Sequence, residues 1–302
     1  MTSSAVAQLV VGARTDVGSV RTRNEDSIYT EPLDSPQSRE HGWVGVVADG
    51  LGGHPSGDFA SRLAAQTTRD VFYKRSREPT GERLREAVKK ANDVIVQTAQ
   101  TEVQHAEMAS TITAAVIRGA SVFMAQVGDS RGYLIRNGRV RRVTRDHSLV
   151  DELVRNGELT AEEALHHPQR NVITRALGVK ATVEVDVFEE KLRNADIILL
   201  CSDGLYRMVD DGEIARAMIA EPQQAVETLV ALANQRGGPD NISVVAVRIS
   251  LPEPTNEDTY PRREPTRDDD TLPRYPLLKA RDDDTLPRRA TTTDDDTLPR
   301  RS

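Results

Sequence analysis

The stretch TITAAVIRGASVFMAQVGD, Thr111 to Asp129, decides how this chain folds. Two runs rich in β-branched and apolar residues lie on either side of Gly119 and read as a hairpin. A second pair follows in YLIRNGRVRRV, residues 133–143, where Asn137-Gly138 has the composition of a two-residue hairpin turn. The sheets are therefore expected to be largely antiparallel. The first hairpin ends on Gly128-Asp129, and a strand running into an acidic turn is a pattern that recurs.

WVGVVA (43–48) runs into Asp49-Gly50, DIILLCS (196–202) runs into Asp203-Gly204, and GGPDN (237–241) leads into ISVVAVRI. Amphipathic helical stretches are expected at 58–75, 82–104, 211–220 and 222–235, the last with Ala225, Leu229 and Leu232 at helical spacing. Strands and helices fall in groups rather than in strict alternation, which favours an α+β layered sandwich over a doubly wound sheet. The charged segment 147–170, between the second hairpin and the next apolar run, reads as a mobile flap.

Composition sets limits on the rest. The chain has 302 residues and 37% hydrophobic content, enough to bury a core. From Leu251 onward the character changes: residues 251–302 hold 10 Lys and Arg, 13 Asp and Glu, 8 of the 15 prolines, and no Val, Ile, Phe or Trp. Such a segment has little to bury and is expected to be a disordered tail after a catalytic domain at 1–250. The remainder carries 30 basic and 34 acidic residues, so neither part has the basic surplus of a nucleic-acid binder. A single cysteine, Cys201, permits no disulfide within the chain and points to a reducing compartment. No run approaches the ~18 apolar residues of a membrane span, and the N-terminus lacks a basic stretch before its short apolar run. The expected location is the cytoplasm, away from membranes.

An Asp-Gly pair is an ordinary turn when it occurs once. Asn24-Glu25-Asp26, Asp49-Gly50, Gly128-Asp129, Asp203-Gly204 and Asp240-Asn241 together supply many hard oxygen donors and few soft ones. That set suits Mg²⁺ or Mn²⁺ better than Zn²⁺.

VRTRNEDS (20–27), VVADGLGGH (46–54), QVGDSRGY (126–133), LLCSDGLYRMV (199–209) and GGPDNISVV (237–245) resemble, in order, the motif series of the PPM or protein phosphatase 2C family in its compact bacterial form. The resemblance covers essentially all of positions 7–249. It implies a four-layer α-β-β-α sandwich, two antiparallel sheets flanked by helices, with a metal cluster at one edge. It implies hydrolysis of phosphoserine and phosphothreonine in proteins by a water held between two metal ions, opposing cytoplasmic Ser/Thr kinases in signalling. Carried onto this chain, Asp49 bridges two ions, Gly50 gives its carbonyl, and Asp203 with Asp240 completes one shell. Glu25 and Asp26 act through water, and Asp129 with Asp203 matches a third ion position of bacterial members. Arg21, five positions before Asp26, matches the family's phosphate-binding arginine, whose planar fork can grip two phosphate oxygens.

The chain departs from the pattern at Leu51, where many eukaryotic relatives carry a histidine. His54 either approaches the site or stabilises the turn after Gly52-Gly53, so the general acid stays unassigned. Cys201 and Arg207 meet the bare spacing of a cysteine-dependent phosphatase loop, but Asp203 inside it would repel phosphate and disfavour a thiolate, which favours a buried strand cysteine. Gly50-Leu-Gly-Gly lacks the Gly-Lys-Ser/Thr ending of a nucleotide loop. A phosphoprotein-binding pseudophosphatase is the non-enzymatic alternative, disfavoured because every carboxylate of the cluster is present.

The tail carries RDDDTLPR at 267–274 and 281–288 and DDDTLPRR at 294–301. The uneven spacing of Thr271, Thr285 and Thr297 argues against a solenoid and for linear motifs that dock a partner or accept phosphate. A solvated mixed-charge tail that aids solubility is the plain alternative.

Overall fold

The computed structural model describes residues 7–51, 55–74, 77–105 and 107–252. The repeats and the tail that carries them, and Gly52, Gly53 and His54, lie outside these residues.

In chain order the strands are β1 (Gln8–Asp16), β2 (Asp26–Thr30), β3 (Trp43–Leu51), β4 (Ala109–Ser110), β5 (Ile112–Arg118) and β6 (Ser121–Val127). They continue with β7 (Arg131–Arg136), β8 (Arg139–Arg142), β9 (Asp186–Lys191), β10 (Ile197–Cys201) and β11 (Ile242–Ser250). The helices are α1 (Pro36–His41), α2 (Pro55–Lys74), α3 (Thr80–Thr101), α4 (Leu149–Arg155) and α5 (Ala161–His166). The last three are α6 (Asp203–Tyr206), α7 (Asp211–Ala217) and α8 (Pro222–Gln235).

Every pairing is antiparallel. One sheet runs β1-β11-β10-β7-β8; the other runs β2-β3-β5-β6-β9, with β4 on β3. The expected hairpins are present. Arg118 pairs Ser121, leaving Gly119-Ala120 as the first turn. Arg136 pairs Arg139, with Asn137 at φ 53° and Gly138 at φ 71°, the two left-handed residues a tight primed turn requires.

Strand alternation makes the layers. Along β3, Val44, Val46 and Ala48 pack with Ala60, Ala64 and Phe72 of α2 and Leu84, Val88 and Ile95 of α3. Along β10 and β11, Leu199, Cys201, Val244 and Ala246 pack with Ile214 of α7 and Ala225 and Leu229 of α8. The opposite faces meet in the middle, where Val47, Ala115 and Met124 of one sheet touch Ile198, Leu200, Val245 and Val247 of the other. The central strands are thus apolar on both faces, and the result is the expected α-β-β-α sandwich. Each buried Leu or Ile is held tightly enough that truncation to Ala costs about 2–5 kcal/mol.

Three expected helices shift at their ends: 58–75 starts earlier, at Pro55, 82–104 runs from Thr80 to Thr101, and 211–220 stops at Ala217. Pro222 then opens α8 at its first position, where a missing N–H costs nothing. Within the expected flap, α4 and α5 form between buried His147 and buried Leu177, and no residue from 149 to 176 is buried.

Candidate metal centre

Register brings carboxylates to one edge of the sandwich. Asp26 opens β2 and pairs Asp49 near the end of β3. Asp203 opens α6 directly after β10, and Asp240 precedes β11, the strand beside β10. Asp129 follows β6 after Gly128, whose φ is +103°. A Cβ at Gly128 would lie 2.5 Å from the Thr111 Cβ, so glycine alone makes the turn that places Asp129. A Cβ at Gly50 would lie 2.1 Å from the Gly57 carbonyl oxygen and 2.7 Å from that of Glu25. The end of β3 is therefore pressed against the start of α2 and the entry to β2.

Polar side chains fix the loops around these residues. Asn241 Nδ2 donates to the carbonyls of Val17 and Arg23, both at 2.8 Å, and its Oδ1 accepts from the Glu25 N–H at 2.8 Å. One amide thus ties the loop bearing Arg21 and Glu25 to the residue after Asp240. Ser202 Oγ donates to Asp26 Oδ2 at 2.8 Å and accepts from the Ser243 N–H at 3.0 Å, joining the two sheets. Thr111 Oγ1 accepts from the Asp49 N–H at 3.1 Å and shares a hydrogen bond with the Ser130 hydroxyl.

The electrostatics are those of crowded negative charge. Burial raises the Asp26 carboxyl to about 7, against hydrogen bonds from Ser243 and Ser202 that pull it down, with Asp203 and Asp240 adding to the rise. Burial lifts Asp49 well above the carboxylate range, and Asp26, Asp203, Asp129 and Asp240 all push the same way. Asp129 reaches about 7 through burial and Asp203, with Arg207 opposing. Burial raises Asp203 as well, again opposed by Arg207.

Asp26 Oδ1 and Asp129 Oδ1 are buried without a hydrogen-bond partner. Unpartnered buried carboxylate oxygens normally cost about 1–3 kcal/mol or more each, and a divalent cation is the partner that offsets such charge. With oxygen donors only and a close backbone approach at Gly50, the residues fit a hard cation. Among the described residues, no three acidic, histidine or cysteine side chains close around a common point. Two arginines hold part of the set instead: Arg21 Nη2 lies 2.9 Å from Asp240 Oδ2, and Arg207 Nη2 lies 2.9 Å from Asp203 Oδ2.

Each remaining candidate has a clear place. Leu51 ends β3, half-buried. Cys201 is buried in β10, and burial pushes its thiol pKa up, which removes it as a thiolate nucleophile. Asn171, outside the motifs, adjoins the site by accepting from Arg207 Nη1 at 2.5 Å. Ser202 and Arg207, which touch Asp26 and Asp203, are positions that reading for carboxylates misses, although both stand within a quoted motif.

Comparison with known proteins gives the same outline. The family model described as Protein phosphatase 2C matches residues 20–235. The serine/threonine phosphatase stp of Listeria welshimeri is 38% identical over 246 residues, covering 79% of this chain and 95% of that protein. The crystal structure of the Mycobacterium tuberculosis serine/threonine phosphatase PstP/Ppp aligns with a TM-score of 0.70 at 36% identity, over 80% of this chain and 99% of that one. A catalytic domain of PstP crystallised with two manganese ions aligns with a TM-score of 0.70 at 34% identity, over 81% of this chain and 99% of that one.

Proposed function

The chain belongs to the protein phosphatase 2C family, and from that premise we propose that the carboxylate edge hydrolyses phosphoserine and phosphothreonine of protein substrates. It is a protein serine/threonine phosphatase of bacterial type, a metal-dependent phosphoric monoester hydrolase. Asp49, Asp203, Asp240 and the Gly50 carbonyl would hold two ions, Mn²⁺ or Mg²⁺, with Glu25 and Asp26 completing the shells through water. When bound, the ions generate a nucleophile from water at neutral pH and offset charge on the phosphoryl oxygens.

The chain's own residues do the positioning. Ser202 turns Asp26 toward the edge, and Asn241 holds the Arg21 loop beside it. Arg21, about half exposed, exchanges Asp240 for the substrate and grips two phosphate oxygens with its fork. A phosphate held this way presents its phosphorus to attack from the carboxylate side, and no covalent phosphoenzyme is needed.

The observation that carries the reading is the pairing in register of buried Asp26 with half-buried Asp49, with Asp26 Oδ1 unpartnered beside Asp203. Phosphate release from a phosphothreonine peptide is the test, compared with a phosphotyrosine peptide and small phosphometabolites, with Mn²⁺ and with chelator. Metal-dependent release from the phosphothreonine peptide in preference to the others is expected; no metal-dependent release would refute the reading.

The same reading places Ser/Thr kinases opposite this enzyme in cytoplasmic signalling and gives residues 251–302 a docking or regulatory role through Thr271, Thr285 and Thr297. No helix among the described residues is long and apolar enough to cross a membrane. The third ion position, Asp129 with Asp203, is the weak member of the ligand set because the Arg207 guanidinium already forms ion pairs with both.

A further inference from the structure

Arg207 occupies ground that the ligand assignment gives to a cation. Its Nη2 lies 2.9 Å from Asp203 Oδ2 and 3.5 Å from Asp129 Oδ2, and its Nη1 donates to Asn171 Oδ1 at 2.5 Å. The placement is built in. Arg207 caps the single turn α6, its N–H donating to the Asp203 carbonyl at 3.1 Å, so its side chain folds back on Asp203 four residues before it. Next to it, Tyr206 Oη donates to Asp129 Oδ2 at 3.4 Å. The Tyr206 ring is clamped in turn by the Arg131 guanidinium at 3.5 Å, and Arg131 is anchored on Asp146 through Nε at 2.9 Å and Nη2 at 2.6 Å. The one oxygen of Asp129 that faces these groups is already satisfied, while its Oδ1 is not.

Resting on the assignment of Asp203 and Asp129 to the metal centre, we propose that Arg207 is a resident cation that takes the place of the third ion, so that this enzyme binds two ions where its site would otherwise accept three. A guanidinium paired with two carboxylates, one of them buried, and hydrogen-bonded to Asn171 is hard to displace, because a hydrated divalent ion must shed water and leave the arginine to find new partners. A fixed positive charge also needs no free metal to stay in place. Through Asn171 it links the segment between α5 and β9 to the metal edge, a link that a loosely held ion would make only intermittently.

The test is Mn²⁺ stoichiometry, read from the electron paramagnetic resonance signal of free Mn²⁺ during titration of the full chain. The wild type is expected to saturate at two ions. Arg207→Ala is expected to take up a third at least about tenfold more tightly than the wild type does, and Arg207→Ala combined with Asp129→Asn to return to two. Arg207→Asn serves in place of the alanine variant if the latter melts early. Three ions in the wild type, or only two in a natively melting Arg207 variant, would overturn the proposal. Fewer than two ions in the wild type, unchanged by Asp49→Asn, would instead remove the metal-centre assignment on which it rests.

Discussion

Arg21 Nη2 donates to Asp240 Oδ2 at 2.9 Å, between residues 219 positions apart in sequence. Burial works against the Arg21 charge, but Asp240, Glu25 and Asp49 outweigh it, and the guanidinium pKa is raised. Arg21 therefore compensates charge at the carboxylate edge, and the proposed function makes it the group that would grip the phosphate. Arg21→Ala is expected to lower kcat/KM on a phosphothreonine peptide by roughly 10- to 100-fold, the worth of a charge-assisted pair of about 1.5–3 kcal/mol. Arg21→Lys keeps the charge without the fork and should fall between. Steady-state kinetics decide it, and an alanine variant with unchanged kcat/KM would exclude Arg21 from substrate binding.

Ser202 joins the two sheets, giving its proton to Asp26 Oδ2 and accepting from the Ser243 N–H. All three residues are buried. In Ser202→Ala the Ser243 N–H and Asp26 Oδ2 both lose a partner, so a loss of about 1–3 kcal/mol in unfolding free energy is expected. Urea denaturation measures it. The same variant should bind Mn²⁺ more weakly, because Asp26 loses the bond that orients it.

The hairpins at Gly119 and Asn137-Gly138 are legible in sequence because their signal is local: alternating or β-branched runs and a turn within a few residues. The edge strands β1, β2 and β9 carry no such signal. β1 is mostly half-exposed and β9 reads DVFEEK, and each gains its pairing from far away, as Gln8 does from Ser250. Asp49 and Asp203 are legible because each closes an apolar strand. Arg207 is not, since at sequence level a charged residue ending a helical turn looks like solvent-facing decoration. Only the fold brings it to Asp129 and Asn171, neither of them close to it in the chain. The contact between Asn241 and the Glu25 N–H, 216 positions apart, is hidden for the same reason, although both residues stand in the motifs.

Glu213 and Arg236 form a two-pronged ion pair at 2.5 and 2.7 Å, and Glu213 also closes the capping box of α7 with Asp210. The hydrogen bonds from Arg236, and then that from the Asp210 backbone, lower the Glu213 carboxyl from its ordinary 4.5 to about 2. The folded-state value lies below the unfolded one, so charged Glu213 stabilises fully above about pH 4.5, and that contribution is lost as pH falls toward 2. Glu213→Gln keeps the capping geometry and removes the charge. Its melting temperature should lie below that of the wild type at neutral pH, with the gap closing across this window. A gap that stays constant from pH 6 to pH 2.5 would assign the effect to packing instead.

Metal should stabilise as well as activate, since it would bind the folded edge and not the unfolded chain. At Mn²⁺ a hundredfold above its dissociation constant, the gain is about 2.7 kcal/mol, which for a domain of this size raises the melting temperature by roughly 5–10 °C. Chelator should reverse both the shift and the activity. Asp49→Asn should abolish the shift, because Asp49 lies at the centre of the carboxylates that bear on one another. Scanning calorimetry with and without Mn²⁺ reads it directly.

The last described residues show where a truncation belongs. β11 ends at Ser250, but the Leu251 N–H donates to Asn194 Oδ1 at 3.1 Å and the Leu251 side chain packs on the core between the sheets. Removing residues 253–302 is expected to leave the melting temperature unchanged and turnover of p-nitrophenyl phosphate within about twofold. Removing 251 and 252 as well should lower the melting temperature, because the inter-sheet core loses an apolar contact and Asn194 loses its backbone partner. If the tail serves docking, the shorter enzyme should keep its rate on small substrates and peptides but lose rate on those phosphoproteins that bind the repeats. Equal loss on all substrates would place residues 253–302 in the catalytic machinery, and no loss on any phosphoprotein tested would leave the repeats a solvating role.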